Sequence, residues 1–155
     1  MTESPKYTIL VVDDEEMVRD LIVALLSKSG HSSITAVDGV DALDRMKGNK
    51  IDAVITDIKM PNMDGVALTI EVLKRNPGLP ILVMTAFGEE YSAGAAIAAG
   101  AREYIKKPFS PDEFFAQLQK MIKDSETIKQ LKDGKVLEES VQDVMRELEE
   151  TLKES

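Results

Sequence analysis

Three features of this 155-residue sequence predict an α/β fold built on one parallel sheet. Five short β-prone runs alternate with five helix-like patterns, the order produced by right-handed βαβ crossovers. The clearest runs are nearly all apolar, as strands covered on both faces must be. Four of them end in an acidic, hydroxyl or basic residue, and a parallel sheet brings all its carboxyl ends to one edge.

The elements follow in order. Residues 7–12 (YTILVV) form the first strand and end at Asp13, Asp14, Glu15 and Glu16. Met17, Val18, Leu21, Ile22, Leu25 and Leu26 then recur at helical spacing, and Gly30 fits the stop. Residues 32–37 read as a weaker strand, and 38–47 as a short helix with Val40, Leu43 and Met46 inward. The central run, 53–56 (AVIT), stops at Asp57; Pro61 and the cluster 62–65 (NMDG) then break the chain. The next helix carries Val66, Leu68, Ile70, Val72 and Leu73, and Asn76, Pro77, Gly78 and Pro80 mark the turn after it.

Residues 81–84 (ILVM) are a fourth buried strand ending at Thr85. A small-residue helix over 91–99 closes at Gly100, a left-handed cap. Residues 102–105 are the fifth strand, ending in Lys106-Lys107-Pro108. Ser110 as N-cap, Pro111 at the first helical position and Glu113 as the capping-box partner open the last domain helix, whose apolar residues are Phe114, Phe115, Leu118, Met121 and Ile122.

A domain over residues 1–122 is therefore expected, followed by an acidic amphipathic helical extension or linker over 123–155. Aromatic residues and strand signals vanish in this second part. Leu137, Val141, Val144, Leu148 and Thr151 follow a heptad-like spacing, and Asp133-Gly134 separates them from a short helix holding Ile128 and Leu131.

Composition removes several function classes. A net charge of −9 argues against direct nucleic-acid binding, which needs a basic footprint. The absence of cysteine removes disulfides, thiolate metal sites and thiol catalysis. No apolar run approaches the ~20 residues that span a bilayer, and the polar N-terminus has no signal-peptide core. A cytoplasmic protein with no membrane contact is expected.

The strand ends gather three carboxylates (Asp13, Asp14, Asp57), a hydroxyl (Thr85) and an ammonium (Lys107). Carboxylates at this density repel unless a cation joins them, and an oxygen-seeking ion such as Mg²⁺ fits. A carboxylate can also attack phosphorus and form an aspartyl phosphate. Phosphoryl transfer asks the protein for alignment and charge neutralisation, and Asp57, at the tip of the central strand, is the best-placed nucleophile. Each residue also has an ordinary reading. Asp13 and Asp14 could cap the first helix, Thr85 could bond backbone, and Lys106 is a solvated charge. His31, the only histidine, reads as a surface residue and the eight methionines as core filler.

The motifs VVDDE at 11–15, D-x-x-M-P-x-M-D-G at 57–65, Thr85-Ala86 and YIKKPF at 104–109 together resemble the response-regulator receiver domain of two-component phosphorelay signalling. The resemblance covers roughly residues 7–122 and implies the flavodoxin-like strand order 2-1-3-4-5. It implies that Asp57 accepts a phosphoryl group from a sensor histidine kinase or a phosphotransfer protein. Asp14 would bind Mg²⁺ (or Mn²⁺) directly, Asp13 through water or as support, with Asp57 and the Lys59 backbone carbonyl completing the protein ligands. Lys107, before a cis bond to Pro108, would pair with the phosphoryl group. Thr85 and Tyr104 would form the switch. Lys59 and Phe87 would tune the phosphoryl lifetime, to minutes or more.

The resemblance implies a signalling switch rather than an enzyme, capable only of Mg²⁺-dependent self-phosphorylation and slow autodephosphorylation. Its partners would be the kinase and a downstream protein target or a linked output domain, with homodimerisation a further expected mode. A phosphatase with an aspartyl-phosphate intermediate needs a second carboxylate two residues past the nucleophile, where this chain has Lys59. A flavodoxin-type electron carrier needs a phosphate-cradling loop, where this chain has DDEE. A receiver acting only as a scaffold ranks low, because every matching acceptor-site residue is present.

Overall fold

The computed structural model describes residues 5–132 and 138–154. The elements are β1 (Thr8–Val12), α1 (Glu16–Lys28), β2 (Ser32–Ala36), α2 (Gly39–Lys47), β3 (Ala53–Asp57), α3 (Gly65–Arg75), β4 (Ile81–Thr85), α4 (Glu90–Ala99), β5 (Glu103–Lys106), α5 (Pro111–Lys132) and α6 (Glu138–Glu154). The five strands form one parallel sheet in the order β2-β1-β3-β4-β5. This is the predicted flavodoxin-like arrangement, and most element ends shift by only one residue. The chain divides into two compact units, Met1–Met121 and Ile122–Ser155.

In the first unit, every residue of the central strands β3 and β4 is buried. Side chains alternate across the sheet. One face joins Leu10, Val12, Val54, Ile81 and Val83 to Leu68 and Val72 of α3 and Ala93 and Ala96 of α4. The other strand residues, Ile9, Val11, Ile55, Leu82 and Met84, are equally buried, as are Ile22 and Leu26 of α1 and Phe114, Leu118 and Met121 of α5. Removing such a side chain to Ala costs about 2–5 kcal/mol.

Local signals set the helix ends. The Glu113 N–H donates to Ser110 Oγ at 3.1 Å, and the Ser110 hydroxyl donates to Glu113 Oε1 at 3.3 Å. Gly100 adopts φ 118 after α4, the left-handed cap read from the sequence.

Some expectations fail. Val40, expected inward, is exposed, and so are Met17, Leu21 and Ile70 of the apolar helical patterns. A helix buries one stripe, and residues 17 and 21 lie off the stripe of Ile22, Leu25 and Leu26. No separate short helix holds Ile128 and Leu131: both belong to α5, which runs unbroken to Lys132. No Gly or Pro stands between Pro111 and Lys132 to stop it.

In the second unit, α6 carries Met145, Leu148 and Leu152 exposed at helical spacing. The Asp133-Gly134 break and Leu137 lie outside the described residues, as do the side chains of Val141 and Val144.

Candidate functional site

The register of the sheet builds the site. Val12 of β1 pairs with Thr56 of β3, so Asp13 and Asp57 come next side by side. Asp13 is fully buried, Asp57 is 7% exposed and Asp14 faces solvent. Carboxylate oxygens of Asp13, Asp14 and Asp57 all lie within 4.8 Å of one another. Lys107 enters from the loop after β5. Its backbone N–H donates to the Thr85 carbonyl at 2.7 Å, and its peptide bond to Pro108 is cis, as expected. The Lys107 Nζ lies 3.1 Å from Asp13 Oδ2 and 3.2 Å from Asp57 Oδ1.

These contacts fix the electrostatics. Burial pushes the Asp57 carboxyl up from 3.8 to about 6; Lys107 opposes that rise and the neighbouring Asp13 charge adds to it. For Lys107, burial favours the neutral amine, but the charges of Asp57 and Asp13 outweigh it and hold the ammonium above its ordinary value. Asp57 Oδ1 accepts both the Lys107 ammonium and the Ile58 N–H, the latter at 3.0 Å. A pocket of oxygen donors alone, two of them buried, suits a hard divalent cation.

The other expected residues occupy distinct places. Thr85 ends β4, is 3% exposed and pairs in register with Lys106. Tyr104 is half-exposed and lines a cavity of about 420 Å³ together with Thr85, Phe87, Ile97 and Lys107. Phe87 does not shield the acceptor: the residue is 99% exposed. The tight turn after β4, in which the Glu89 N–H donates to the Ala86 carbonyl and Gly88 adopts φ 89, carries the Phe87 ring outward. Lys59 is exposed in the loop after β3. His31 is not a bare surface residue, since its Nδ1 accepts the Tyr7 N–H at 3.0 Å.

The response regulator receiver domain family matches residues 9–119. This chain belongs to that family. The receiver is 37% identical over 118 residues to the alkaline phosphatase synthesis transcriptional regulatory protein PhoP of Bacillus subtilis, covering 76% of this chain and 49% of that protein. It is 39% identical over 115 residues to the response regulator MprA of a Mycobacterium species, covering 74% and 50%. The chain thus spans about half the length of the curated relatives it matches. Among solved structures, NtrX of Brucella abortus aligns with a TM-score of 0.80 at 34% identity, over 83% of this chain and 29% of that one. A receiver domain protein of Clostridium thermocellum aligns at 0.72 and 32% identity, over 81% and 98%. The receiver is a signalling switch of the two-component response-regulator type, with its acidic pocket at the carboxyl edge of the sheet.

Sequence reasoning missed the brackets around the receiver's pocket. Asp38 caps α2 by accepting the Asp41 N–H at 2.8 Å, and its other oxygen accepts the Asn62 amide at 2.7 Å. The Gly39 N–H donates to the Met63 carbonyl, so the loop after β3 is tied to α2. Asn62 sits at φ 67, a left-handed position that Asn tolerates, and the N-M-D-G run was the only hint of it. Arg19, which donates to the Asp13 carbonyl, gave no sequence signal beyond its helical position.

Proposed function

We propose that the receiver is a phosphorylation-gated switch whose acceptor is Asp57, charged by the phosphohistidine of a sensor histidine kinase or of a phosphotransfer protein. The observation that carries this reading is the Lys107 ammonium seated between Asp13 and Asp57 inside a three-carboxylate cluster. Asp57 Oδ1 is engaged by Lys107 and the Ile58 N–H, so Oδ2 is the attacking oxygen. The Oδ2–P bond forms as the P–N bond to the donor imidazole breaks; the electron pair returns to nitrogen, which takes a proton from solvent.

Asp14 and Asp57, with the Lys59 carbonyl, would hold Mg²⁺, and Asp13 would act through water or as a support. When bound, that ion neutralises charge on the phosphoryl oxygens. Asp13 suits the supporting role because its two oxygens are already engaged, Oδ1 by the Glu15 N–H at 2.9 Å and Oδ2 by Lys107. Lys107 leaves Asp13 for the phosphoryl group, the Thr85 hydroxyl donates to it, and Tyr104 moves from its half-exposed position into the adjoining cavity. The altered surface then controls binding of a target protein, a linked output domain or a second copy.

Residues 123–155 are inferred to be a helical extension or linker beyond the switch domain. Support comes from α6, a helix that carries Met145, Leu148 and Leu152 at helical spacing among acidic residues.

The test is incubation with acetyl phosphate and Mg²⁺ followed by intact mass. The parent should gain one phosphoryl group and Asp57→Asn none. Equal labelling of both, or labelling of neither by acetyl phosphate or any phosphohistidine donor, would end this reading.

A further inference from the structure

Asp13 is pinned at every polar group it has. Its Oδ1 accepts the Glu15 N–H at 2.9 Å and its Oδ2 faces the Lys107 ammonium at 3.1 Å. Its own N–H donates to the Ala36 carbonyl at 3.2 Å. The remaining group, its backbone carbonyl, accepts Arg19 Nη1 at 2.7 Å. That last contact reaches back from the first turns of α1 to the loop that carries Asp13 and Asp14.

The choice of partner is informative. Arg19 stands in a stretch with Asp13, Asp14, Glu15, Glu16 and Asp20, yet among the described residues its guanidinium forms no carboxylate ion pair within 4.0 Å. It is spent on a neutral carbonyl, a short and directional bond from a rigid planar donor. Such a bond sets the orientation of the Asp13–Asp14 peptide, and so where the Asp14 carboxylate points. Partners of this kind, which touch a ligand's support rather than the ion, commonly set metal affinity.

We propose that Arg19 is a positioning residue of the acidic pocket, locking the loop between β1 and α1 so that Asp14 is preorganised to receive the divalent ion. The inference rests on the metal-assisted reading above. It opposes the simple Coulomb expectation, in which a nearby cation weakens binding of another cation and its removal strengthens it. Position and charge therefore predict opposite signs.

The test uses the full chain with Arg19→Met, which keeps an apolar stem and loses the donor, and Arg19→Lys, which keeps the charge and a donor. Mg²⁺ affinity is measured by calorimetry without phosphodonor. Urea unfolding midpoints and exchange of the Glu15 amide, which reports the Asp13 anchor, are measured in chelator. Arg19→Met should bind Mg²⁺ about tenfold more weakly, exchange the Glu15 amide faster and keep the parent midpoint; Arg19→Lys should restore most of the affinity. Equal or tighter Mg²⁺ binding by Arg19→Met overturns the inference, as does a loss of affinity that merely tracks a lower midpoint in both variants. If the parent itself binds no Mg²⁺, the metal-assisted function falls and this inference with it, an outcome distinct from a difference between parent and variants.

Discussion

Lys107 Nζ lies 3.2 Å from Asp57 Oδ1, although α3, β4, α4 and β5 all intervene between the two residues in sequence. The ammonium lowers the Asp57 pKa against the burial that raises it. Lys107→Ala removes that opposition, so the Asp57 carboxyl should titrate above about 6 and be more protonated at neutral pH. Carboxyl-carbon NMR titration in chelator checks this, and phosphoryl uptake from acetyl phosphate should slow by about tenfold or more. An unmoved or lower Asp57 titration would contradict the bridging role.

The same shift makes folding stability depend on pH. Asp57 moves from an ordinary 3.8 to about 6 on folding. The folded state therefore binds its proton more tightly, and the stability this group contributes is fully present below about pH 4 and lost as pH rises to about 6. In Asp57→Asn the loss is absent. The variant should gain on the parent across this window and hold a lead of about 1–2 kcal/mol above it, discounted for the pocket's solvent access. Urea unfolding of both proteins in chelator from pH 4.5 to 7.5 measures it; a constant difference would refute the assignment.

Divalent ion should reverse that penalty. Ligand binding to the folded state stabilises by mass action, about 2.7 kcal/mol when the ion is a hundredfold above its Kd. Mg²⁺ should raise the thermal midpoint of the parent, and much less that of Asp57→Asn or Asp14→Asn. Equal rises in all three would place the ion elsewhere.

Two glycines should respond in opposite directions. A Cβ at Gly65 would collide with the Asp57 carbonyl oxygen and come within 2.9 Å of the Ile58 Cα. Both are backbone and cannot step aside, so Gly65→Ala should cost about 1–3 kcal/mol and disturb phosphorylation. A Cβ at Gly94, within α4, meets nothing within 4 Å. Gly94→Ala should stabilise by about 1 kcal/mol through helix propensity alone. Chemical denaturation of both variants decides the point.

Much of this was legible in the sequence because local chemistry carries it. The apolar runs that became β1, β3 and β4 could only be strands buried on both faces. Ser110, Pro111 and Glu113 announce the start of α5, and Gly100 the end of α4, through backbone needs that those residue types meet. Helix faces were less legible. The periodicity holding Ile22 also admits Met17, and only packing decides which of them the domain covers.

What the sequence determined alone was the five strands, the helices that alternate with them and the placement of Asp13, Asp14, Asp57, Thr85 and Lys107 at strand ends, because periodicity and chain-breaking residues act over a few positions. What only the tertiary structure decided was which atoms meet: that Lys107 bridges Asp13 and Asp57, that Arg19 holds the Asp13 carbonyl, that Asn62 ties its loop to Asp38, and that Phe87 points into solvent. The Lys107 and Asn62 contacts depend on strand register and on side-chain reach across distant segments, which leave no local trace in the sequence. The Arg19 bond and the Phe87 orientation depend on how α1 packs and how the turn after β4 closes, which residue types alone do not specify.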